Sequence, residues 1–230
     1  MPGDAVGQAL LDGIARGQAP PLVLERRDGL VSVDPNPYLG TLDERDEWAV
    51  ARAAGRVLDV GAGAGRGALA LQERGQEVTA LDTSPGAIEA CRKRGVRDTY
   101  LGTIGDAARD GLAGCFDAVL LLGNNIGLLG STAGAPGFLD GLAALLRPGG
   151  VIVGTGTDAS LAWDPRAPGH ATVRIRYQRL ATDWFDWCVL SPRALAEVAA
   201  PAGWHATAHY PGREYALVLS RGPLPGRAAP

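Results

Sequence analysis

Val57-Leu-Asp-Val-Gly-Ala-Gly-Ala-Gly65 is the stretch that decides the fold, because a short apolar run passes directly into alternating glycines. The run predicts a buried strand, and the glycines predict a turn that leads into a helix. Glycines in such a turn let the backbone approach a ligand and aim free N–H groups at it. Asp82 follows Asp59 by 23 residues, at the predicted tip of the next strand, where a carboxylate can accept both hydroxyls of a ribose. The stretch therefore predicts an adenosine-binding site at the carboxyl edge of a parallel sheet.

Strand and helix patterns alternate outward from this motif. Strands are predicted over 57–60, 77–81, 96–101, 116–122 and 151–155, with helices between them. Such alternation predicts parallel strands joined by right-handed crossovers. The chain has 230 residues, 46% of them hydrophobic, which is enough to bury one core. We therefore expect a doubly wound α/β domain over 56–220.

Residues 1–55, which precede this domain, have a different pattern of predicted elements and are expected to form a cap. A helix is predicted over 4–17, a hairpin that turns at Asp28-Gly29, and a charged helix over 41–54. Because the sheet is complete without these elements, we expect the cap to help enclose a substrate.

The segments after the fifth strand are also distinct. Residues 157–190 form an insertion longer than the link to the next helix requires, and residues 172–179 within it alternate between apolar and charged side chains. Loops at this end of parallel strands build ligand crevices. Residues 205–210 and 214–220 predict a closing antiparallel pair, and 221–230 predicts a flexible tail.

The positions of the glycines separate two classes of cofactor. A dinucleotide site needs a third glycine where a helix N-terminus meets the pyrophosphate. Counted from Gly61, that position holds Arg66; counted from Gly63, it holds Ala68 and the motif starts two residues late. Asp59 suits the cationic amino group of a methionine moiety better than a pyrophosphate. The residues favour S-adenosylmethionine, and a nicotinamide- or flavin-dependent oxidoreductase stays open as the alternative.

At this point the chain resembles the class I S-adenosylmethionine-dependent methyltransferases, over residues 56–156 and more loosely over 190–220. The matching motifs are Asp59-Val-Gly-Ala-Gly63, Ala80-Leu-Asp-Thr-Ser-Pro85, Phe116-Asp-Ala-Val119 and Leu145-Leu-Arg-Pro-Gly-Gly150. One departure follows the third strand, where Gly102 and Gly105-Asp106 compete for the place of the family's Gly-Asp pair. Glu25-Arg-Arg-Asp-Gly29, Leu122-Gly-Asn-Asn-Ile-Gly-Leu128 and Trp184-Phe-Asp-Trp187 look like a subset of bacterial and archaeal small-molecule methyltransferase homologues.

The resemblance implies a mostly parallel seven-stranded sheet of order 3-2-1-4-5-7-6. It implies methyl transfer from S-adenosylmethionine to an O, N or C nucleophile of a small molecule, with S-adenosylhomocysteine as product. A protein that binds this cofactor without methyl transfer is the second alternative. The residues implied at the cofactor are Asp59, Gly61, Ala62, Gly63, Asp82, Thr83, Thr103, Ile104, Gly123 and Asn124.

Candidates for the acceptor side lie in the cap, after the fourth strand and in the insertion. Asn125 follows the fourth strand, where the family holds the reacting centre, and Tyr38 and Trp184 are expected as walls. His170 is the candidate general base, since histidine titrates near neutral pH. Tyr177 is the fallback, because it shares an inward face with other apolar residues. The alternative is that proximity alone supplies the acceleration.

Charge and composition exclude several partners. The net charge of −3 gives no basic field for nucleic acid, and no apolar run reaches the length of a membrane span. Three widely spaced cysteines predict reduced thiols in a cytoplasmic protein. His205 and His209 lie in a predicted strand, about 13 Å apart, so we expect no metal site. Arg26-Arg27, Arg174 and Arg176 could contact an anionic substrate, although solvated faces are commoner for such residues. A homodimer is the candidate assembly.

Overall fold

The structure is a computed structural model that describes residues 2–158, 170–209 and 214–222. Its helices are α1 (Ala5–Arg16), α2 (Glu44–Val50), α3 (Arg66–Glu73), α4 (Pro85–Arg94), α5 (Ile104–Ala107), α6 (Ala135–Leu145) and α7 (Pro192–Ala199). Its strands are β1 (Leu22–Arg26), β2 (Gly29–Val33), β3 (Arg56–Val60), β4 (Glu77–Asp82), β5 (Asp98–Leu101), β6 (Phe116–Leu121), β7 (Leu146–Thr157), β8 (Ala171–Tyr177), β9 (Leu180–Ala181), β10 (Phe185–Trp187), β11 (His205–His209) and β12 (Glu214–Ser220). Short 3-10 helices cover Asn36–Tyr38, Asn125–Leu129 and Ala200–Ala202.

The main sheet has seven strands in the order β11-β12-β7-β6-β3-β4-β5. The strands from β7 to β5 pair in parallel, and β12 and β11 close the sheet in antiparallel pairs. Numbered from β3, this is the order 3-2-1-4-5-7-6. The predicted fold class is therefore confirmed.

Helices cover both faces of this sheet, as the apolar sequence of β6 requires. Val119 and Leu121 enter the core on the α6 face, whereas Ala118, Leu120 and Leu122 enter the core on the α3 face. Because successive side chains of a strand alternate between faces, a strand covered on both sides must be apolar throughout.

A second sheet unites the cap with the insertion. Its order is β10-β8-β1-β2, with β9 paired to β8, and all of its pairs are antiparallel. The register of β1 against β2 pairs Arg26 with Gly29, so the hairpin turns at Arg27-Asp28, one residue before the predicted turn. The sequence predicted the cap and the insertion as two separate segments that cover the ligand-binding end of the main sheet. Pairing between β1 and β8 makes them one sheet.

Helix α1 ties the second sheet to the main one. At its start, Asp4 accepts from the Gly7 N–H at 2.8 Å and from the Gly86 N–H of α4 at 2.7 Å. Further along, Asp12 accepts from the Tyr177 hydroxyl of β8 at 2.7 Å. A Cβ on Gly7 would lie 2.6 Å from the Gly86 Cα, so the two helices touch through backbone.

Some predicted segments fall beyond what the structure covers. Residues 159–169 of the insertion, residues 210–213, and the predicted tail from residue 223 lie outside the described residues. Within the described ranges, no helix combines the length and apolar character needed to cross a bilayer.

Candidate functional site

A cavity of about 1080 Å³ lies between the carboxyl ends of β3, β4 and β6 and the second sheet. Open α/β sheets bind ligands at this place, and the volume suffices for a nucleoside cofactor together with a small molecule. Eleven of the predicted site residues line it: Tyr38, Gly61, Ala62, Gly63, Asp82, Thr83, Thr103, Ile104, Gly123, Asn124 and Asn125.

The glycine loop after β3 is shaped by an asparagine as well as by its own conformation. Gly61 has φ +68° and Gly63 has φ +56°, which favours glycine. The Asn125 amide donates to the C=O groups of Val60 at 3.0 Å and Gly61 at 2.7 Å. A Cβ on Gly61 would lie 2.6 Å from the Asn125 Nδ2, whereas one on Gly63 would meet nothing closer than a Leu10 methyl at 3.9 Å. The lack of a side chain at Gly61 thus leaves room for the Asn125 amide, and Gly63 faces open space.

Asp82 lines the cavity at the end of β4, in a geometry that suits a ribose. Its carboxylate accepts from the Gly63 N–H and the Ser84 N–H, both at 2.9 Å. Burial raises the pKa of Asp82, and these two hydrogen bonds oppose the rise. Each carboxylate oxygen can accept a second hydrogen bond. Asp82 therefore retains capacity for two hydroxyl donors.

Asp59 lies behind the glycine loop rather than in the cavity lining. It is buried, and burial raises its pKa to about 7 against the opposing effect of the Ala68 N–H. Its Oδ2 accepts no hydrogen bond from the described residues. A buried acceptor without a partner is rare in folded proteins. A Cβ on Gly67 would lie 3.0 Å from this oxygen, so Asp59 points toward α3, and the structure does not place it against the amino group expected from a methionine moiety.

Asp59→Asn is expected to change the pH dependence of stability. The pKa of Asp59 is raised from 3.8 to about 7, so its favourable contribution is present at low pH and is lost as pH rises through about 7. The asparagine does not titrate. The free energy of unfolding of the variant, relative to the native chain, should therefore rise between pH 5 and pH 8 in urea titrations.

Glu89→Gln is the control for this experiment, because Glu89 is exposed and pairs only locally with Lys93. Its free energy of unfolding should follow the native chain at both pH values. A constant difference between Asp59→Asn and the native chain across this range would mean that Asp59 is not held in its protonated form.

A helix cap shows which glycine after β5, Gly102 or Gly105, takes the place of the family's Gly-Asp pair. Asp106 accepts from the Thr103 N–H at 2.9 Å and from the Thr103 hydroxyl at 2.6 Å, and Thr103 in turn caps α5. The Gly102 N–H donates to the Asp82 C=O at 3.0 Å. Gly102 therefore takes the place directly after the strand, and Asp106 is committed to α5.

Two candidates for proton transfer lie outside the cavity lining. His170 Nε2 lies 3.1 Å from Asp186 Oδ1, and both side chains are exposed. Tyr177 is buried beneath α1, where its hydroxyl donates to Asp12. Neither side chain faces the end of β6, so the geometry does not support the expected base or its fallback.

The aromatic wall of the insertion comes from the stretch that the sequence indicated, Trp184-Phe-Asp-Trp187, but not from Trp184 itself. Trp184 is 45% exposed and packs against the Arg174 guanidinium, 4.7 Å from its ring centroid. Phe185 and Trp187 line the cavity. These two residues share one face of β10, because side chains alternate along a strand, and they replace Trp184 as the wall.

Asp4 and Arg66 also line the cavity, and sequence reasoning did not select either. Asp4 had a visible signal, since an acid directly before a helical pattern is a typical N-cap. Arg66 was considered only as a poor third glycine. Its guanidinium lies 2.5 Å from the buried Asp46 carboxylate, and no local spacing links those two positions.

Comparisons with known proteins agree with this site. A family described as "Methyltransferase domain" matches residues 57–150. The crystal structure of an S-adenosylmethionine-dependent methyltransferase from Bacteroides fragilis, in complex with S-adenosylhomocysteine, is similar to this chain with a TM-score of 0.83 and 32% identity. That similarity covers 94% of both chains.

Two further relatives have named reactions. The ubiquinone biosynthesis O-methyltransferase of Methylocella silvestris is 34% identical over 168 residues, or 69% of this chain, and the match spans 61% of that relative's length. The 1,6-didemethyltoxoflavin-N1-methyltransferase of Burkholderia thailandensis is 22% identical, with a TM-score of 0.54 over 77% of each chain. The second likeness shows a shared fold alone.

Proposed function

The chain belongs to the S-adenosylmethionine-dependent methyltransferases, and from that premise we propose that it methylates an O, N or C nucleophile of a small molecule. The observation that carries the proposal is the placement of the glycine loop, Asp82 and Asn124 around one cavity with room for a second molecule. The Methylocella silvestris relative, an O-methyltransferase by name, supports a small acceptor.

The cofactor half of the cavity is assigned from the strand ends. Gly61 and Gly63 of the glycine loop border the methionine portion through their lack of side chains, since their N–H groups donate to Leu81 and Asp82. Asp82 takes the ribose hydroxyls, and Thr103 and Ile104 flank the adenine. When bound, S-adenosylmethionine supplies a methyl group on a cationic sulfur. Asn124 borders that end, and its Oδ1 accepts from the Thr157 hydroxyl at 2.9 Å, which holds the amide at the end of β6.

The chain's own contribution to rate is positioning and exclusion of water. The second sheet encloses the cavity opposite the strand ends, and Tyr38 packs against Gly123, where a Cβ would lie 3.1 Å from the tyrosine ring. Burial raises the pKa of Tyr38, so its hydroxyl stays protonated at neutral pH. Holding the acceptor close to the methyl group supplies most of the acceleration.

His170→Ala is expected to retain turnover within about threefold of the native chain, because His170 pairs with Asp186 away from the cavity. A lost general base would cost about a hundredfold or more. The measurement is kcat with labelled S-adenosylmethionine once an acceptor is known. A hundredfold loss of kcat with unchanged cofactor affinity would mean that His170 acts as the general base after all.

The proposed function predicts that S-adenosylhomocysteine raises the melting temperature and NAD does not, because a ligand that binds only the folded state stabilises it. At a hundredfold excess over Kd the stabilisation is about 2.7 kcal/mol. Incubation with methyl-labelled S-adenosylmethionine and fractionated metabolites should then yield a labelled small molecule.

Two outcomes would contradict the proposal. A shift with NAD and none with S-adenosylhomocysteine would favour an oxidoreductase. Cofactor binding without any labelled product would favour a protein that keeps the cofactor as a ligand.

We also propose a cytoplasmic location, from the odd number and wide spacing of the three cysteines.

A further inference from the structure

We infer that the methyl acceptor is a neutral, mainly apolar molecule that binds against the inner face of the second sheet. The inference rests on the proposed function and names the class of substrate for the same site. It is carried by the way that this sheet divides apolar from charged side chains between its two faces.

The inner face of the second sheet is apolar where it meets the cavity. Directly opposed residues of antiparallel strands point to the same face, and the register opposes Leu24 to Ile175 and Val173 to Phe185. Four strands therefore contribute to one apolar surface. Its members in the cavity lining are Leu22, Leu24, Val33, Val173, Ile175, Phe185 and Trp187.

The outer face carries most of the charges, and the charged side chain of the inner face, Arg26, lies opposite Val173, pairs with Asp28 at 3.2 Å and is outside the described cavity lining. Glu25 accepts from Arg174 at 2.7 and 3.0 Å and from Arg176 at 3.1 Å, and these hydrogen bonds hold the pKa of Glu25 below its usual range. Asp186 pairs with His170 on the same side. Of the four arginines that the sequence left open for an anionic substrate, Arg174 and Arg176 therefore face away from the cavity, and Arg26 and Arg27 lie outside its described lining.

The charged residues of the described cavity lining are Asp4, Arg66, Asp82 and Asp183. Asp82 accepts from the Ser84 N–H and Asp4 from the Gly86 N–H of α4, and Arg66 is paired with Asp46. Asp183 alone lies at an exposed position on the second-sheet side. An ionised acceptor would lose hydration on the apolar face, where among the described side chains only the exposed carboxylate of Asp183 offers an opposite charge, and only to a cation.

The apolar surface begins beside the place where the methyl group would be delivered. A Cβ on Gly127 would lie 2.2 Å from Trp187 Cε2, and the Gly127 C=O accepts from the Cys188 N–H at 2.9 Å. Trp187 is thereby fixed against the turn after β6, which also carries Asn125. An acceptor can rest its body on the second sheet and present one polar end to Asn124 and Tyr38.

Three probes that share a naphthalene body and differ in charge test this inference. Binding of 2-naphthol, 2-naphthoate and 2-naphthylmethylammonium is measured calorimetrically on the full chain with saturating S-adenosylhomocysteine. We expect 2-naphthol to bind at least about tenfold more tightly than either ion, because burying an unpaired ion costs several kcal/mol. Equal or tighter binding of either ion would overturn the inference.

Ile175→Asn and Leu30→Asn show where the probe binds. Ile175 lines the cavity, whereas Leu30 lies in the same sheet opposite Glu25 on the outer face, 66% exposed and outside the lining. We expect Ile175→Asn to weaken 2-naphthol binding about tenfold and Leu30→Asn to leave it unchanged, with S-adenosylhomocysteine affinity retained in both. Equal weakening in the two variants would overturn the inference.

The proposed function and this inference fail in different ways. Absence of S-adenosylhomocysteine binding would remove both. Normal S-adenosylhomocysteine binding with preference for the cation, abolished by Asp183→Asn, would leave the methyltransferase and replace the neutral acceptor with an amine. If Ile175→Asn does not fold, the ranking of the three probes on the native chain decides the question by itself.

Discussion

Replacing Asp82 with alanine is expected to weaken S-adenosylhomocysteine binding about ten- to a hundredfold, or about 1.5–3 kcal/mol, in a chain that stays folded. Two effects add. The variant loses the carboxylate that we propose accepts the ribose hydroxyls, and it frees the N–H groups of Gly63 and Ser84, both now 2.9 Å from that carboxylate. We therefore expect the glycine loop to loosen as well.

Asp82→Asn and Glu89→Ala separate these effects in a calorimetric titration. The asparagine keeps one acceptor oxygen and should lose less affinity than the alanine. Glu89 lies exposed on α4 beside Lys93, and its replacement should leave affinity unchanged. Native affinity in a folded Asp82→Ala chain would remove Asp82 from the cofactor site.

Asp46→Ala should lower the free energy of unfolding by about 3–5 kcal/mol, the usual cost of breaking a buried ion pair. Asp46 is fully buried, with Oδ2 2.5 Å from Arg66 and Oδ1 3.7 Å from Arg45. The arginine side chains are 10% and 8% exposed, respectively. Without the carboxylate, Arg66 is left as a buried cation beside the cavity. Urea unfolding gives the difference.

Glu47→Ala is the matched control in the same helix. Glu47 is 52% exposed and pairs with Arg74 at the surface, so its loss should cost about 0–1 kcal/mol. The double variant Asp46→Leu, Arg66→Met should recover much of the loss, because two apolar residues replace the ion pair together. A loss below about 1 kcal/mol for Asp46→Ala would mean that solvent reaches this pair.

The fold and the family could be predicted from local signals, and both are confirmed. The glycine loop after β3 and the Pro-Gly-Gly run near the start of β7 each consist of neighbouring residues, and the acid at the end of β4 follows the glycine loop by one helix and one strand. Parallel strands joined by short right-handed crossovers leave few arrangements for such elements. The strand order followed from the resemblance that those motifs carry.

The face of the strand on which an individual side chain lies was harder to predict. The segment around Trp184 was selected from the sequence, but its cavity-facing residues are Phe185 and Trp187. A shift of one residue moves every side chain of a strand to the opposite face. The same rule places Asp186 on the outer face, where it pairs with His170.

The sequence by itself determined the sheet, the glycine loop and the family, because each is recognised from residues that lie a few positions apart in the chain. The tertiary structure alone decided what lies opposite the strand ends across the cavity. Pairing of β1 with β8, the hydrogen bond from Gly86 of α4 to Asp4 and the contact of Asp46 with Arg66 join residues far apart in the chain. Such contacts leave no periodicity in a single sequence, because their partners meet only when the chain has folded.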